Sequence, residues 1–379
     1  MKRDSIRRWY QIHKWSSLIC TLFLLLLCLT GLPLIFHDEL TKPADVAPHA
    51  ANARPASLDQ IVAAAQKAKP GEVVLYISKS DDDGDAVTVT TADSISAPVS
   101  RMHPVLVDEF SAQVLPRPAS SGFFDLMLHL HTNLCAGNTG SIILALMALL
   151  FVASIVSGIV VYGPFTKRWQ FGTVRVQTGH RTRWLDIHNL FGIVTVCWLL
   201  VVGVTGAINA LDPFVAALWQ STELRAMVAP FKDKPAPAKL SSLQAALDRA
   251  HQEDPGTTLT TFALPGTPFA SPRHYGIYLH GNEPLTSRIL RPLLIDAETG
   301  EVAAKREMPW YVKVFFLSQP LHFGDYGGLP LKFLWAGFDM VTIAVLVSGL
   351  WLWRLRGRSL PEIETEQMAA EAALTESTV

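Results

Sequence analysis

The chain has 379 residues, of which 49% are hydrophobic, and its formal net charge is −1. This near balance of acidic and basic residues argues against a nucleic-acid partner. The high hydrophobic content indicates membrane segments, so length alone does not set the number of domains.

Four apolar runs are long enough to cross a bilayer, which takes roughly 20 residues. They cover residues 15–36, 141–162, 190–211 and 333–353. The first run is too long for the apolar part of a signal peptide, so we expect a retained anchor. Only the fourth run contains a charged residue, Asp339. We expect Asp339 to face the helix bundle and to bond a ligand histidine or a hydroxyl such as that of Thr342.

Basic residues mark one side of the membrane. They are concentrated at the N-terminus, in the link between runs two and three, and after run four. By the positive-inside rule, these three regions are cytoplasmic, and the two long loops are extracytoplasmic. We therefore expect a bacterial inner-membrane protein with both termini in the cytoplasm and both loops in the periplasm.

The chain repeats itself, with matching spacings in its two halves. His13 and His188 are each followed 18 residues later by the glycine of a Thr-Gly pair, Gly31 and Gly206. His131 and His322 each precede a Val-Ser-Gly segment by the same spacing, ending at Gly158 and Gly349. In each loop, a serine-capped helix (from Ser57 and from Ser242) stops at a Pro-Gly pair and is followed by alternating strand-like segments. The strand-like segments cover residues 73–78, 86–91, 258–263 and 275–280, with closing elements at 104–114 and 292–302.

The predicted fold is membrane α-helical, with four transmembrane helices in two tandem repeats and two small α+β extracytoplasmic domains. A twofold axis along the membrane normal would relate the repeats. The predicted parts are helix 1 (1–37), the first extracytoplasmic domain (38–120), an interfacial segment with helix 2 (121–163), a basic link (164–183), helix 3 (184–211), the second domain (212–309), an interfacial segment with helix 4 (310–354) and a cytoplasmic tail (355–379).

Four histidines occupy repeat-matched positions. His13 and His188 belong near the cytoplasmic face, and His131 and His322 near the outer face. A twofold axis would place each couple in opposition, as bis-imidazole ligation of a haem iron requires. Six glycines would let the helices approach or leave room for a planar porphyrin: Gly31, Gly158, Gly192, Gly203, Gly206 and Gly349. No Cys-x-x-Cys occurs, which excludes covalent haem attachment through that motif.

Other interpretations of these residues compete with ligation. A single histidine near a helix end is more often interfacial than a ligand. His129 is a rival to His131, because it lies two residues away. Arg7, Arg8, Arg181 and Arg183 are candidates to pair with haem propionates, although positive-inside charge already explains them.

Four segments resemble the PepSY-associated transmembrane family: YQIHKW (10–15), LHTNLCAGNTG (130–140), WLDIHNLFG (184–192) and LHFGDYGGL (321–329). Within that family the chain is most similar to inner-membrane ferric-siderophore reductases of the ferrioxamine-utilisation type. The resemblance implies PepSY-like extracytoplasmic domains and two haem b groups held by His13, His188, His131 and His322. It also implies an oxidoreductase that passes electrons to ferric siderophores and so releases Fe(II).

The electron donor is expected to be a quinol or a separate reductase, since no nucleotide-binding motif occurs. Two other functions stay open. The loop domains could restrain a peptidase or sense an envelope signal without catalysis, or the bundle could transport haem or iron. The lack of broken helices and of paired intramembrane charges counts against transport.

Overall fold

A computed structural model describes residues 3–41, 53–79, 84–116, 121–166, 170–175, 179–282 and 287–355. The predicted tail beyond Leu355, its basic Arg356 and Arg358, and part of the basic link (Lys167 and Arg168) lie outside these residues. Two compact units form. A helical unit comprises residues 1–35, 127–210 and 321–379, and a sheet unit comprises residues 36–126 and 211–320.

The helices of the described chain are α1 (Arg3–Ile35), α2 (His37–Thr41), α3 (Leu58–Ala68), α4 (Ser121–Asn133), α5 (Gly137–Thr166), α6 (His180–Asn209), α7 (Asp212–Trp219), α8 (Arg225–Val228), α9 (Leu243–Glu253), α10 (Trp310–Phe323) and α11 (Gly328–Arg354). The strands are β1 (Val73–Ser78), β2 (Ala86–Ala92), β3 (Met102–Asp108), β4 (Thr257–Ala263), β5 (His274–Gly281), β6 (Leu290–Asp296) and β7 (Val302–Lys305). A π-helical turn, Gln220–Leu224, joins α7 to α8.

Each of the four predicted apolar runs coincides with a long helix, although the first run extends one residue past α1 and the third extends two residues past α6. The spans Asp4–Ile35, Gly137–Pro164, His180–Asn209 and Asp325–Arg354 are long and apolar enough to cross a membrane. α1 packs against α5 and α11, and α6 packs against the same two helices, so α1 and α6 lie diagonally in the bundle. Large apolar side chains such as Leu22 and Leu149 stay exposed on the outside of the helices, which suits contact with lipid.

Within the described residues, the sheet unit contains one antiparallel sheet of seven strands, in the order β3-β2-β1-β4-β5-β6-β7. The sequence predicts two small α+β domains; the structure joins their strands through the β1–β4 pair, with Tyr76 opposite Ala263. An unpaired edge strand exposes a row of backbone donors and acceptors, and pairing two such edges satisfies both.

Helices α3 and α9 pack side by side on one face of this sheet. Ser57 and Ser242 accept hydrogen bonds from the first turns of the helices that follow them, as predicted. Asp59 of α3 also caps α9, since it accepts from Ser242 Oγ and from the backbone N–H groups of Leu243 and Gln244. One hydrophobic core, which includes Ile61, Ala65, Ile77, Val89, Ala246, Ile277 and Leu279, lies between these helices and the sheet.

The opposite face of β4–β6 carries a second core. Trp219 of α7, Met227 of α8 and Val312 of α10 pack there against Tyr278 and Leu294. Every residue of β5 is therefore buried, because helices cover both faces of that strand. Residues 212–231 form a helical segment in the structure. Sequence analysis assigned them to the second extracytoplasmic domain but predicted no helix or strand there.

Candidate functional site: two histidine pairs

The first histidine pair joins the diagonal helices α1 and α6. The ring centres of His13 and His188 lie 6.4 Å apart, with 62° between the ring planes. Sequence analysis places both residues just before their apolar runs, and the structure extends α1 and α6 to include them. We refer to His13 and His188 as the α1/α6 pair.

The second pair joins α4 and α10. The ring centres of His131 and His322 lie 6.2 Å apart, with 60° between the planes. Each histidine stands near the end of its helix, before a break that precedes a membrane-spanning helix. Positive φ angles at Leu134 and Cys135 end α4, and Gly324 in the left-handed conformation ends α10. We refer to His131 and His322 as the α4/α10 pair.

Each of the four imidazoles is held through Nδ1. In the α1/α6 pair, His13 Nδ1 donates to the Ser154 carbonyl at 2.8 Å, and His188 Nδ1 lies 3.1 Å from the Val345 carbonyl. A carbonyl only accepts, so Nδ1 carries the proton and Nε2 keeps its lone pair. The Ser348 hydroxyl, 3.0 Å from His188 Nδ1, is a further partner.

The α4/α10 pair is held by hydroxyls in the same way. His131 Nδ1 lies 3.0 Å from Thr30 Oγ1, and His322 Nδ1 lies 3.2 Å from Thr205 Oγ1. Both threonines belong to the Thr-Gly pairs that the sequence repeats. The spacing of those pairs could have identified the threonines as histidine partners, but sequence analysis assigned a role only to the glycines.

Four glycines leave room for the four imidazoles. A Cβ atom added at Gly31 would lie 3.0 Å from His131 Cε1, one at Gly158 would lie 3.0 Å from His13 Cε1, and one at Gly206 would lie 3.0 Å from His322 Cε1. At Gly349 the distance to His188 Cε1 would be 3.4 Å, an ordinary contact. These are the four repeat-matched glycines, and each one borders a different histidine. By contrast, the predicted space-making Gly192 has nothing within 4 Å of an added Cβ.

The separation of the ring centres in each pair suits two imidazoles on one ion. When metal–imidazole bonds are about 2.0 Å long and both nitrogens point at the ion, the ring centres lie roughly 6 Å apart. Among the described residues, no group of three or more His, Cys, Asp or Glu side chains is placed to hold a metal ion. Two imidazoles alone leave a bare ion under-coordinated. They could hold an ion whose four other positions are already filled by a planar ligand.

His129 does not join the α4/α10 pair. Its side chain is exposed, whereas His131, two residues further along α4, is the one that faces His322. Of the two histidines, His131 is therefore the one that the structure brings together with His322. His180 stacks on Trp184, with ring centres 6.3 Å apart, and belongs to neither pair.

Asp339 is buried, as expected, but its partner differs from the prediction. The carboxyl group interacts with the Cys28 thiol, and the Thr342 hydroxyl donates to the Phe338 carbonyl instead. A hydroxyl inside a helix readily bonds the carbonyl four residues earlier, which explains why Thr342 is not free to bind Asp339.

An ion pair near the α1/α6 pair was not anticipated. Asp186, two residues before His188, is 1% exposed and accepts from the backbone N–H, Nε and Nη2 of Arg175 at 2.8 to 3.0 Å. This interaction ties the described part of the basic link to the start of α6. Of the four arginines considered as propionate partners, Arg7 and Arg8 line a surface depression beside Asp4.

Comparison with known proteins agrees with the motifs. The profile described as "PepSY-associated TM region" matches residues 10–356. A curated relative, the uncharacterized protein PA4219 of Pseudomonas aeruginosa, is 26% identical over 260 residues, which is 63% of this chain. The aligned region spans 65% of that relative's length, which is just under two thirds.

Proposed function

The chain belongs to the PepSY-associated TM region family, and we propose that it is a dihaem b-type reductase of ferric siderophores. The observation that carries the proposal is the presence of two histidine pairs with nearly equal geometry, 6.4 Å and 6.2 Å between ring centres. The α1/α6 pair would hold one haem and the α4/α10 pair the other.

We also propose that the two halves arose as a tandem repeat related by a twofold axis along the membrane normal. The diagonal placement of α1 and α6 in the bundle supports this symmetry. So does the correspondence of partners, in which Thr30 and Thr205 bond the histidines of one pair. The proposed orientation is that of an inner-membrane protein, with cytoplasmic termini and the segments 38–120 and 212–309 in the periplasm.

Haem would supply the one-electron redox chemistry, and the chain's own groups set how it is held. The Nδ1 hydrogen bonds fix the orientation of each imidazole and make Nε2 a better ligand. The glycines beside the rings let the helices carry them without steric overlap. The two pairs are well separated, because His13 and Thr30, the partner of His131, lie 17 residues apart on α1, or about 25 Å along the helix axis.

The substrate would be Fe(III) bound by a siderophore. One electron converts it to Fe(II), a softer ion that oxygen-rich siderophores bind far more weakly, so the metal is released. The electron donor would be a quinol or a separate reductase.

The test is an optical spectrum of the purified full chain, oxidised and dithionite-reduced, together with a pyridine haem count. We expect low-spin b-type haem at about two per chain. His13→Ala or His188→Ala should lose one haem, and His131→Ala or His322→Ala the other. His129→Ala is the matched control and should keep both.

A colourless preparation without iron would overturn the proposal and favour a regulatory PepSY module. Equal haem loss in His129→Ala and His131→Ala would refute the assignment of the α4/α10 pair. Uptake of haem or iron into sealed vesicles without a redox change would favour transport.

A further inference from the structure

The sheet unit contains a cavity that the histidine pairs do not use. It has a volume of about 280 Å³ and lies between α7, the sheet and α10. Its walls are largely apolar, and five of the thirteen lining residues are aromatic: Trp219, Phe269, Tyr278, Phe315 and Phe316. Polar groups are few: the Asp212 carboxyl, the Thr261 hydroxyl and the Gln319 amide. A mostly apolar cavity with a few polar groups is the usual form of a small-molecule site.

One wall residue carries an unused hydrogen-bond donor. Trp219 is 3% exposed, and its indole Nε1–H has no acceptor among the described residues. The neighbouring Tyr278 hydroxyl is already engaged, because it donates to the Phe269 carbonyl at 2.7 Å. Since buried donors are nearly always paired, an unpaired one in a cavity wall suits a ligand that brings an acceptor oxygen.

Helix α7 is apolar on its outer side as well. Asp212, Val215, Ala216 and Trp219 line the cavity, whereas Phe214 and Leu218 are more than 40% exposed. Leu211, just before the helix, is exposed to the same degree. A helix that is apolar all round is suited to lipid rather than to water. The residues that border the cavity therefore favour a lipid-soluble ligand.

We infer that this cavity binds the headgroup of a lipid-soluble quinol, which would make it the electron-entry site of the proposed reductase. The aromatic walls suit a planar ring, and the indole N–H suits a ring oxygen. A volume below the roughly 300 to 1,000 Å³ of sites for drug-sized ligands admits one ring, not a whole siderophore. Gln319 in the cavity wall precedes His322 by three residues in the sequence of α10.

The oxidation balances as follows. The bound quinol loses two electrons and two protons, its two C–O–H groups become carbonyls, and it leaves as the quinone. The two electrons reduce two Fe(III) ions, one after the other, to two Fe(II). The exposed Asp212 carboxylate at the cavity rim can take one proton, and water takes the other.

This inference rests on the proposed function for the use of the electrons, but ring binding can be measured without it. The probe is a short-chain quinone, decylubiquinone, titrated calorimetrically into the full chain in lipid nanodiscs. Trp219→Phe removes one N–H and keeps an aromatic ring, so we expect roughly threefold to tenfold weaker binding. Trp310→Phe is the matched control, since Trp310 is exposed and lies outside the cavity wall, and its affinity should not change.

Ala216→Phe should fill the cavity and abolish binding, while its circular dichroism stays that of the wild type. The inference is overturned when decylubiquinone does not bind saturably, when Trp219→Phe and Trp310→Phe bind it equally, or when a ferric siderophore competes for the same site. Saturable binding to a protein without haem would sustain the site and reject the proposed function. A protein that contains haem but does not bind decylubiquinone would reject the quinol site and sustain the proposed function.

Discussion

The fit between the glycines and the histidine rings can be tested within one pair. Gly158→Ala places a methyl group 3.0 Å from His13 Cε1 and 3.2 Å from His13 Nδ1, so the ring must move by a few tenths of an ångström. Gly349→Ala makes the corresponding change beside His188, where the methyl group meets Cε1 at 3.4 Å and nothing needs to move. The two variants therefore differ in steric overlap at the α1/α6 pair while making the same chemical change.

The size of the effect follows from overpacking, which costs about 1 to 3 kcal/mol when the neighbours cannot retreat. The hydrogen bond to the Ser154 carbonyl restrains the His13 ring. The added methyl group therefore strains the ring in the position from which it would bind the haem. A cost of that size weakens cofactor binding at the α1/α6 pair by roughly fivefold to 150-fold. Replacing a helical glycine by alanine also stabilises the helix by up to about 1 kcal/mol, so Gly349→Ala should bind haem as well as the wild type.

The assay is haem retention by each purified variant during dialysis against apomyoglobin, with the electron paramagnetic resonance spectrum of the low-spin centres as a second readout. Gly158→Ala should lose about one haem per chain faster than the wild type and shift one of the two signals. Gly192→Ala controls for an added methyl group at a position where nothing lies within 4 Å. Equal behaviour of Gly158→Ala and Gly349→Ala would refute the role assigned to the close contact.

Three further outcomes are expected. Asp186→Asn should loosen the charged contact with Arg175 and increase trypsin cleavage after that arginine, measured by limited proteolysis. Asp59→Ala removes one of the two side chains that cap α9 and should cost the sheet unit about 1 to 2 kcal/mol in urea unfolding. Although burial opposes its ionisation, hydrogen bonds from Arg273 and from two backbone N–H groups lower the pKa of Asp296 below 3.8. Its contribution to stability is therefore complete above that value and lost as the pH falls below it, so Asp296→Asn should flatten the acid-unfolding curve recorded by near-ultraviolet circular dichroism.

Local patterns were enough to predict most of the elements of the sheet unit. The segment 73–78 is rich in β-branched and aromatic residues and forms β1 with the same bounds. Ser57 and Ser242 predicted the starts of α3 and α9, because a serine hydroxyl can accept from the first turn of a helix. These features depend on a few neighbouring residues, so an isolated sequence contains them.

The joining of the two loop segments into one sheet could not be predicted in this way. An alternating pattern shows which face of a strand is buried, but not which edge pairs with which strand. β1 and β4 are separated by 178 residues along the chain, from Ser78 to Thr257, yet they pair directly. The cavity depends on the same long-range packing, because its walls combine α7, three strands and α10.

The histidine pairs were predictable for the opposite reason. Repeat-matched residues are expected at the same depth in the bundle, so the sequence alone could couple His13 with His188 and His131 with His322. A repeat implies equal environments, however, and here the environments differ. Both Nδ1 atoms bond a backbone carbonyl, but His188 has the Ser348 hydroxyl as a further partner, and its ring lies farther from Gly349 than the His13 ring lies from Gly158. Because hydrogen bonding and ring orientation tune an imidazole as a metal ligand, the two histidines of one pair would not be interchangeable in the proposed haem site. It follows that each half has to be tested by its own variant.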